Sequence, residues 1–313
     1  MTAVYRSLDE IPAGFGGCAA AVGNFDGVHL GHQEILRAVT AEAGSRGLRA
    51  VAVTFDPHPE RFLRPQQAPQ LLTPMEERIR LLSGTGLDAI VIMPFDGVLA
   101  GLPGREFVEQ ILVETLGVCA LHEGGNFRFG RKAECGVAEL EEFGREFGFT
   151  LTVHKAVHVH GLEVSSSAIR ELVSVGDMKR ARWMLGRQFG VRGTPKRDRG
   201  VGGRLLVPTV NLAPYSGLLP AFGIYVTRMT IGGRCFQAVT SIGNRPTFPG
   251  AGFSVETHIL NFEPIDLTDD TPVELEFLLR LRDERKFESV EELKAEIHRD
   301  IAKAGRFFRR AGA

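Results

Sequence analysis

Two histidines near the start of the chain have the spacing that could bind a phosphate-rich ligand. His29 and His32 lie in residues 24–33, which also hold two glycines, and residues three apart share one face of a helical turn. The apolar run Cys18–Val22 before this stretch predicts a buried strand, and residues 34–39 after it predict a helix. At such a turn the unpaired N–H groups and the positive end of the helix dipole favour an anion. We therefore interpret the pair as a ligand contact rather than as two surface histidines.

The composition excludes several general partners. A chain of 313 residues suggests two domains, and 43% hydrophobic with 24% charged residues is ordinary for a globular protein. The formal net charge of -1 predicts no general affinity for nucleic acid or anionic membranes. The four cysteines form no CxxC pair or zinc spacing, which favours reduced thiols. Because residues 1–10 lack an apolar signal core and no apolar run has membrane-spanning length, we expect a cytoplasmic location.

The first half of the chain alternates strand and helix patterns. The strand-like runs are Cys18–Val22, residues 50–55, 89–93 and 118–121, and Thr150–His154. The helix-like stretches are residues 31–45, 74–82 and 105–116, and Val137–Phe147, with Thr73 and Pro74 as a predicted N-cap and first helical residue. This alternation predicts a parallel sheet with helices on both faces, and ligands of such sheets bind at the carboxyl ends of the strands. Polar loops follow three of the strands there, at residues 24–32, 56–59 and 124–130.

The second half of the chain has a different pattern of predicted elements. Two short helix patterns, one beginning at the serines 165–167 and one at residues 177–185, precede a change near residues 186–188. Five β-like runs then follow at residues 189–192, Gly223–Ile231, 234–242, 254–260 and 272–281. Strands without intervening helices predict an antiparallel barrel, and residues 289–308 predict a closing helix. We therefore expect one domain over residues 1–186 and a second over residues 187–313.

The ordered motifs of both halves resemble the bifunctional bacterial riboflavin kinase/FAD synthetase family. The first half carries GNFDGVHLGH at residues 23–32, TFDPHP at 54–59 and GNFRFG at 125–130. The second half carries PTVN at residues 208–211, PAFGIY at 220–225, IGNRPTF at 242–248 and ETH at 256–258. The resemblance implies a Rossmann-like nucleotidyltransferase domain that adenylylates FMN to FAD with release of pyrophosphate. It implies a second, barrel domain that phosphorylates riboflavin to FMN, and both reactions would use ATP and Mg²⁺.

The adenylyl transfer implied by this resemblance needs charge stabilisation rather than a base. The attacking FMN phosphate is already ionised at neutral pH, so the site must offset repulsion and align the α-phosphorus. We predict His29 and His32 as catalytic charge stabilisers, because a nearby triphosphate raises the pKa of an imidazole. The predicted ATP contacts of this domain are Gly23, Asn24, Phe25, Asp26, Gly27, His29, His32, Asn126, Ser165, Ser166 and Arg170. The predicted flavin wall is Phe62, Phe127 and Phe129.

The kinase reaction needs a base because the hydroxyl of riboflavin is protonated. The resemblance places this base at Glu256, whose strand would point it and His258 to the same sheet face. It implies that Thr209 binds Mg²⁺ through its hydroxyl and that Asn211 assists with the metal or the phosphates. The other predicted ATP contacts are Gly193 and Lys196, the latter in a basic loop with Arg197, Arg199 and Arg204.

The chain departs from the family pattern at a few positions. Ser167 and Ala168 replace the usual threonine and basic residue, and residues 206–207 are Leu-Val instead of Gly-Phe. Val210 replaces an alanine, and the tyrosine-glycine pair usual after the glutamate strand is absent from residues 266–270. None of these changes removes a predicted catalytic group. They affect the shape of the flavin and ATP pockets, and the kinase pocket most.

Two alternatives remain open from the sequence. One is an adenylyltransferase for another substrate, such as a nicotinate or pantetheine phosphate, with a non-catalytic barrel; the motifs at residues 208–211 and at Glu256 argue against it. The other is a flavin-binding storage or regulatory protein with decayed sites, which the intact histidines and Thr209 argue against. We expect riboflavin, FMN and ATP as small-molecule partners, no nucleic acid or membrane, and a monomer or weak homo-oligomer.

Overall fold

The small apolar run Cys18–Val22 forms a fully buried strand inside a six-stranded parallel sheet. The computed structural model describes residues 1–196, 209–244, 253–260, 268 and 270–312. The chain divides into two units, Met1–Ser166 and Ser167–Ala313. Two helices lie between this division and residue 186, where the predicted first domain ends. The predicted domain boundary therefore stays a prediction.

The strands of the first unit are β1 (Ala3–Tyr5), β2 (Cys18–Val22), β3 (Arg49–Asp56), β4 (Ala89–Pro94), β5 (Val118–Gly124) and β6 (Thr150–His154), followed by the hairpin β7 (His158–Val159) and β8 (Leu162–Glu163). The parallel sheet has the order β1-β4-β3-β2-β5-β6. The chain moves from β2 outward to β3 and β4, and then returns to the other side of β2 to form β5. The switch point of the topology therefore lies between β2 and β5, where open α/β sheets bind ligands.

Helices cover both faces of this sheet, as the sequence predicted. They are α1 (Leu30–Arg46), α2 (Pro59–Leu63), α3 (Met75–Ser83), α4 (Gly97–Gly101), α5 (Gly104–Glu106), which a π-helix over Phe107–Thr115 continues, and α6 (Val137–Phe147). Alternate residues of β2 enter different cores: Ala20 packs with Leu112, and Ala19 packs with Leu36 of α1. This alternation is the period-two geometry of a strand buried on both faces.

The second unit holds α7 (Ser166–Ser174, which begins at the last residue of the first unit), α8 (Met178–Leu185), β9 (Phe189–Gly193), β10 (Val210–Asn211), β11 (Gly223–Ile231), β12 (Arg234–Asn244), β13 (Phe253–Ile259), β14 (Val273–Arg282) and α9 (Val290–Ala311). Its antiparallel order is β10-β13-β12-β11-β14-β9. A bridge between Pro195 and Leu212 links the two edges and curls the sheet into a barrel. Phe308 of α9 packs on Val226, so the predicted barrel with a closing helix is confirmed.

Among the helices in the described ranges, none is both long enough and apolar enough to span a membrane.

Candidate active sites

The loop that joins β2 to α1 has a strained backbone. Phe25 and Val28 have positive φ values of 46° and 39°, on either side of Gly27 at 87°. A positive φ is unfavourable for a bulky residue and above all for a β-branched one. Such strain persists only where the surroundings fix it, and it clusters at functional sites. This loop leaves the carboxyl end of β2, at the switch point of the sheet.

The two histidines stack on each other at the N-terminus of α1. Their ring centroids are 3.6 Å apart and their planes meet at 18°. Nδ1 of His29, the N-cap residue, accepts a hydrogen bond from the backbone N–H of His32 at 3.3 Å. The hydrogen-bond network therefore assigns the proton of a neutral His29 ring to Nε2.

The surroundings of His32 favour the neutral form of its ring. Burial lowers the pKa of His32 well below its usual value, and the charges of His29 and Arg78 lower it further. Its Nδ1 atom is buried and meets no hydrogen-bond partner in the part of the chain that the structure describes. The predicted rise of the pKa needs a bound triphosphate, whose negative charge would act against these effects.

The side chain of Asp26, within this loop, is part of a buried polar cluster. Its carboxylate is 1% exposed and accepts hydrogen bonds from the backbone N–H of Leu72 at 3.0 Å and of Thr73 at 2.9 Å. The Thr73 hydroxyl donates to Asp26 at 3.1 Å and accepts from the Gly27 N–H at 2.9 Å. The prediction that Thr73 caps α3 is wrong: Pro74 is the N-cap, because the Thr73 groups already serve this loop.

Three further predicted ATP contacts surround the same loop. Asn24 has a buried Oδ1 that meets no partner among the described residues. Gly23 donates its N–H to Val53 O at 2.9 Å, and Ser166 donates its hydroxyl to Asp26 O at 2.8 Å. Of the other predicted ATP contacts, Ser165 precedes α7, directly before Ser166, Arg170 lies on α7, and Asn126 is exposed in the loop after β5.

The three predicted flavin-wall phenylalanines have different surroundings. Phe127 stacks on Phe129 with centroids 5.4 Å apart, and Phe129 is 8% exposed within the core beside Phe107. Phe62 packs edge-on against Phe95 at 6.0 Å and is 44% exposed. Of the three, Phe62 offers the ring face that a flavin could cover.

The predicted kinase residues meet on β10 and β13. Asn211 and Glu256 are direct partners in the antiparallel register, so their side chains share one face. Glu256 is half-buried and accepts a hydrogen bond from the Ser254 hydroxyl at 3.3 Å, and His258 lies on the same face. The Lys196 N–H donates to Asn211 O at 2.7 Å, which places the end of β9 beside this pair.

Other parts of the predicted kinase site can be placed only in part. Thr209 is exposed directly before β10, and Gly193 ends β9. The predicted flap residues Arg197, Arg199 and Arg204, and the motif positions 206–208 and 245–248, lie outside the described residues.

Sequence reasoning missed two buried charged residues near the switch point. Arg78 of α3 is 1% exposed, and its Nη2 lies 3.7 Å from Asp26 Oδ1. Glu123 of β5 is 3% exposed and accepts a hydrogen bond from the Val22 N–H at 2.7 Å. Neither belongs to a short motif, and a charged residue within an amphipathic helix ordinarily indicates a solvated face, so the sequence held no signal for Arg78.

The parallel sheet with its histidine-bearing loop defines a nucleotidyltransferase, joined here to a separate antiparallel barrel. The family model for FAD synthetase matches residues 12–168, and that for riboflavin kinase matches residues 185–308. The chain belongs to the bifunctional riboflavin kinase/FMN adenylyltransferase family. It uses ATP to phosphorylate riboflavin and to adenylylate FMN, so both predicted activities are confirmed.

Relatives of this family align along nearly the whole chain. The Pseudomonas fluorescens bifunctional riboflavin kinase/FMN adenylyltransferase is 35% identical over 300 residues, which cover 96% of each chain. The enzyme of the same name from Escherichia coli K12 is 32% identical over 293 residues, 93% of each. A crystal structure described as a macrolide-efflux protein from Streptococcus pneumoniae superposes with a TM-score of 0.84 at 27% identity, covering 96% of this chain and 97% of that one.

Proposed function

We propose that the first unit binds the ATP triphosphate at the loop of residues 24–32 and transfers AMP to FMN there. The observation that carries this proposal is the stacked pair of His29 and His32 at the N-terminus of α1, at the switch point of the sheet. Since the attacking FMN phosphate is ionised, the pair would act on charge. His29 would donate from Nε2, and His32 would gain a proton as the anion arrives.

The remaining ATP contacts follow from the surroundings of this loop. The buried Oδ1 of Asn24 would gain a partner from the nucleotide, and the Gly23 to Gly27 backbone would approach the phosphates. Asp26 would act mainly through the loop that it fixes. Asn126, Ser165, Ser166 and Arg170 remain proposed phosphate or nucleotide contacts, and Phe62 the proposed flavin contact.

The second unit would phosphorylate riboflavin at the pair of Asn211 and Glu256. The half-buried Glu256 carboxylate would accept the proton of the riboflavin hydroxyl as it attacks the γ-phosphorus. The backbone N–H of Lys196 holds Asn211 in place, and the side chain of Lys196 together with Gly193 would contact ATP.

The donor set of this site fits Mg²⁺. Thr209 and Asn211 offer uncharged oxygens beside the Glu256 carboxylate, and Mg²⁺ prefers a few protein oxygens with phosphates and water as its other ligands. Bound Mg²⁺ would shield the negative charge of the phosphates. Thr209 and Asn211 would hold it.

A chromatographic assay of the flavins separates the two sites. With riboflavin, ATP and Mg²⁺, we expect the His32→Ala variant to accumulate FMN without FAD, because its kinase site is intact. We expect the Thr209→Ala variant to make no FMN from riboflavin but to convert supplied FMN to FAD. His158→Ala, an exposed histidine of β7, and Thr230→Ala, a half-buried threonine of β11, serve as matched controls. Loss of both activities in either folded test variant would show that the two-site assignment is wrong.

The protein is further proposed to act in the cytoplasm as a monomer or a weak homo-oligomer. Its substrates riboflavin, FMN and ATP are small molecules, and the formal net charge of -1 gives no general attraction to polyanions. Sedimentation velocity over a hundredfold range of concentration tests the oligomeric state, and a stable oligomer at the lowest concentration would contradict it. Fractionation of cells tests the location.

A further inference from the structure

We infer that Arg78 is a positioning residue of adenylyl transfer, which fixes the strained loop that leads to the two histidines and places a positive charge near His32. The inference rests on the proposed function of that loop. Arg78 contributes no atom to the predicted ATP contacts and lies on α3, more than forty residues further along the chain.

The charge of Arg78 is deeply buried. Arg78 is among the largest fully buried side chains, with 1% exposure, and its counterion Asp26 is equally buried. Desolvation of a guanidinium and a carboxylate is costly, so a buried pair is weak evidence for stability and is often retained for another reason. Here the pair lies under the loop of the proposed active site.

The cluster around Arg78 also holds the strained backbone of the loop. Arg78 Nη2 donates to Thr73 O at 3.3 Å, and Thr73 in turn holds both Asp26 and the Gly27 N–H. Gly27 lies between the two residues with unfavourable positive φ values. The cluster therefore ties the most strained backbone of the loop to the start of α3, and His29 follows directly after that backbone.

Arg78 also acts electrostatically on His32. The ring packs between His29, at 3.6 Å, and the edge of Phe25, at 5.2 Å between centroids. The titratable or charged groups that act on it are His29 from the same turn and Arg78 from α3, with Asp26 as the counterion of Arg78. Both His29 and Arg78 lower the pKa of His32. Arg78 thus favours an uncharged His32 until the triphosphate binds, so protonation becomes coupled to binding of the anion.

The test compares Arg78→Gln, which removes the charge, with Arg78→Lys, which keeps it. We expect kcat/KM for FMN adenylylation to fall about 10- to 100-fold in the glutamine variant, through kcat more than through the KM for FMN. The NMR titration midpoint of the His32 ring protons should rise in the glutamine variant and stay unchanged in the lysine variant. Arg80→Gln, an exposed arginine of the same helix, should change neither quantity, and kinase activity should be unchanged in all three.

A milder variant keeps the test informative if the glutamine variant does not fold. Thr73→Val removes the hydroxyl that links Asp26 to Gly27 but leaves the Arg78 charge in place, so adenylylation should fall at least about 10-fold without a shift of the His32 midpoint. In the unmodified protein the midpoint of His32 should lie clearly below the usual value of about 6.5. Unchanged adenylylation in folded Thr73→Val and Arg78→Gln proteins, or a His32 midpoint at or above 6.5, would overturn the inference.

The His32→Gln variant separates this inference from the function on which it rests. If that variant adenylylates FMN normally, the proposed role of the histidine pair fails. If it is inactive while Arg78→Gln and Thr73→Val remain fully active, the histidine pair stands and only the role of Arg78 fails.

Discussion

Replacement of Glu123 by glutamine should stabilise the first unit, and increasingly so as the pH rises. The carboxyl group is 3% exposed at the end of β5, where it accepts a hydrogen bond from the Val22 N–H at 2.7 Å. The paired register of β2 with β5 ends at Ala20 and Leu121, so this carboxyl satisfies an N–H that the neighbouring strand leaves open. Glutamine has the same shape and keeps an acceptor oxygen, but it cannot ionise.

The magnitude follows from the pKa of this group. Burial raises the pKa of Glu123 well above its usual 4.5, and the hydrogen bond from Val22 opposes this only in part. The pKa of Glu123 is higher in the folded protein than in the unfolded chain. The contribution of this group to the free energy of unfolding is therefore fully present below the unfolded pKa and is lost as the pH rises through the folded pKa. Within that window the wild-type protein loses about 1.4 kcal/mol for each pH unit, while the glutamine variant loses nothing at this site.

Calorimetry at pH 4 and pH 8 tests this prediction. We expect similar melting temperatures at pH 4 and an advantage of at least about 1.4 kcal/mol for Glu123→Gln at pH 8, which is roughly 3–6 °C for a unit of this size. Glu142→Gln, an exposed glutamate of α6, should show no such pH-dependent gain. A glutamine variant less stable than the wild type at pH 8 would refute the reasoning, because it would mean that an ionised carboxylate stabilises the end of β2.

Two further predictions concern the closing helix of the second unit. Ser289→Ala removes the hydroxyl that accepts the Glu292 N–H at 3.1 Å and caps α9, so thermal unfolding of this unit should show a loss of about 1 kcal/mol. Phe308→Ala removes a ring that is 1% exposed between α9 and the barrel, so denaturant unfolding should show a free energy of unfolding lower by about 3–5 kcal/mol. A loss below about 1 kcal/mol would contradict the packing of α9 on the sheet.

Elements with a strong local pattern could be predicted closely from the sequence. Cys18–Val22, Val137–Phe147 and Gly223–Ile231 have the predicted bounds, because continuous apolar runs and regular periodicity determine strands and helices locally. The two-residue strand Val210–Asn211 was missed, since so short a strand has no period of its own and forms through pairing with β13. The predicted helix over residues 105–116 was found, but most of it is the π-helix Phe107–Thr115, whose bond pattern no periodicity reveals.

The candidate site shows the same division between local and distant information. His29 and His32 could be recognised because their spacing, the glycines and the preceding strand lie within one short stretch. The position of Asp26 could not be recognised, because its partners Leu72 and Thr73 lie 46 and 47 residues away. Its motif predicts an ATP contact, which stays a prediction, and in the fold its buried carboxylate also anchors the loop to Leu72 and Thr73.

The proposed adenylyltransferase site combines a locally formed phosphate-binding turn with groups from distant elements. The groups that would touch ATP lie at the start of a helix, where the backbone itself favours an anion, and they need little beyond local sequence to form. Arg78 of α3, which is not among the proposed ATP contacts, holds this loop from behind Thr73 and disfavours the charged form of His32, while Glu123 of β5 accepts a hydrogen bond from the end of β2. Substitutions at the histidines should therefore abolish FAD formation outright, whereas substitutions at Arg78 should change its pH dependence and rate, and those at Glu123 its stability. In such a site one short segment supplies the groups proposed to act on the phosphates, and the segments packed around it set the pH dependence, the rate and the stability.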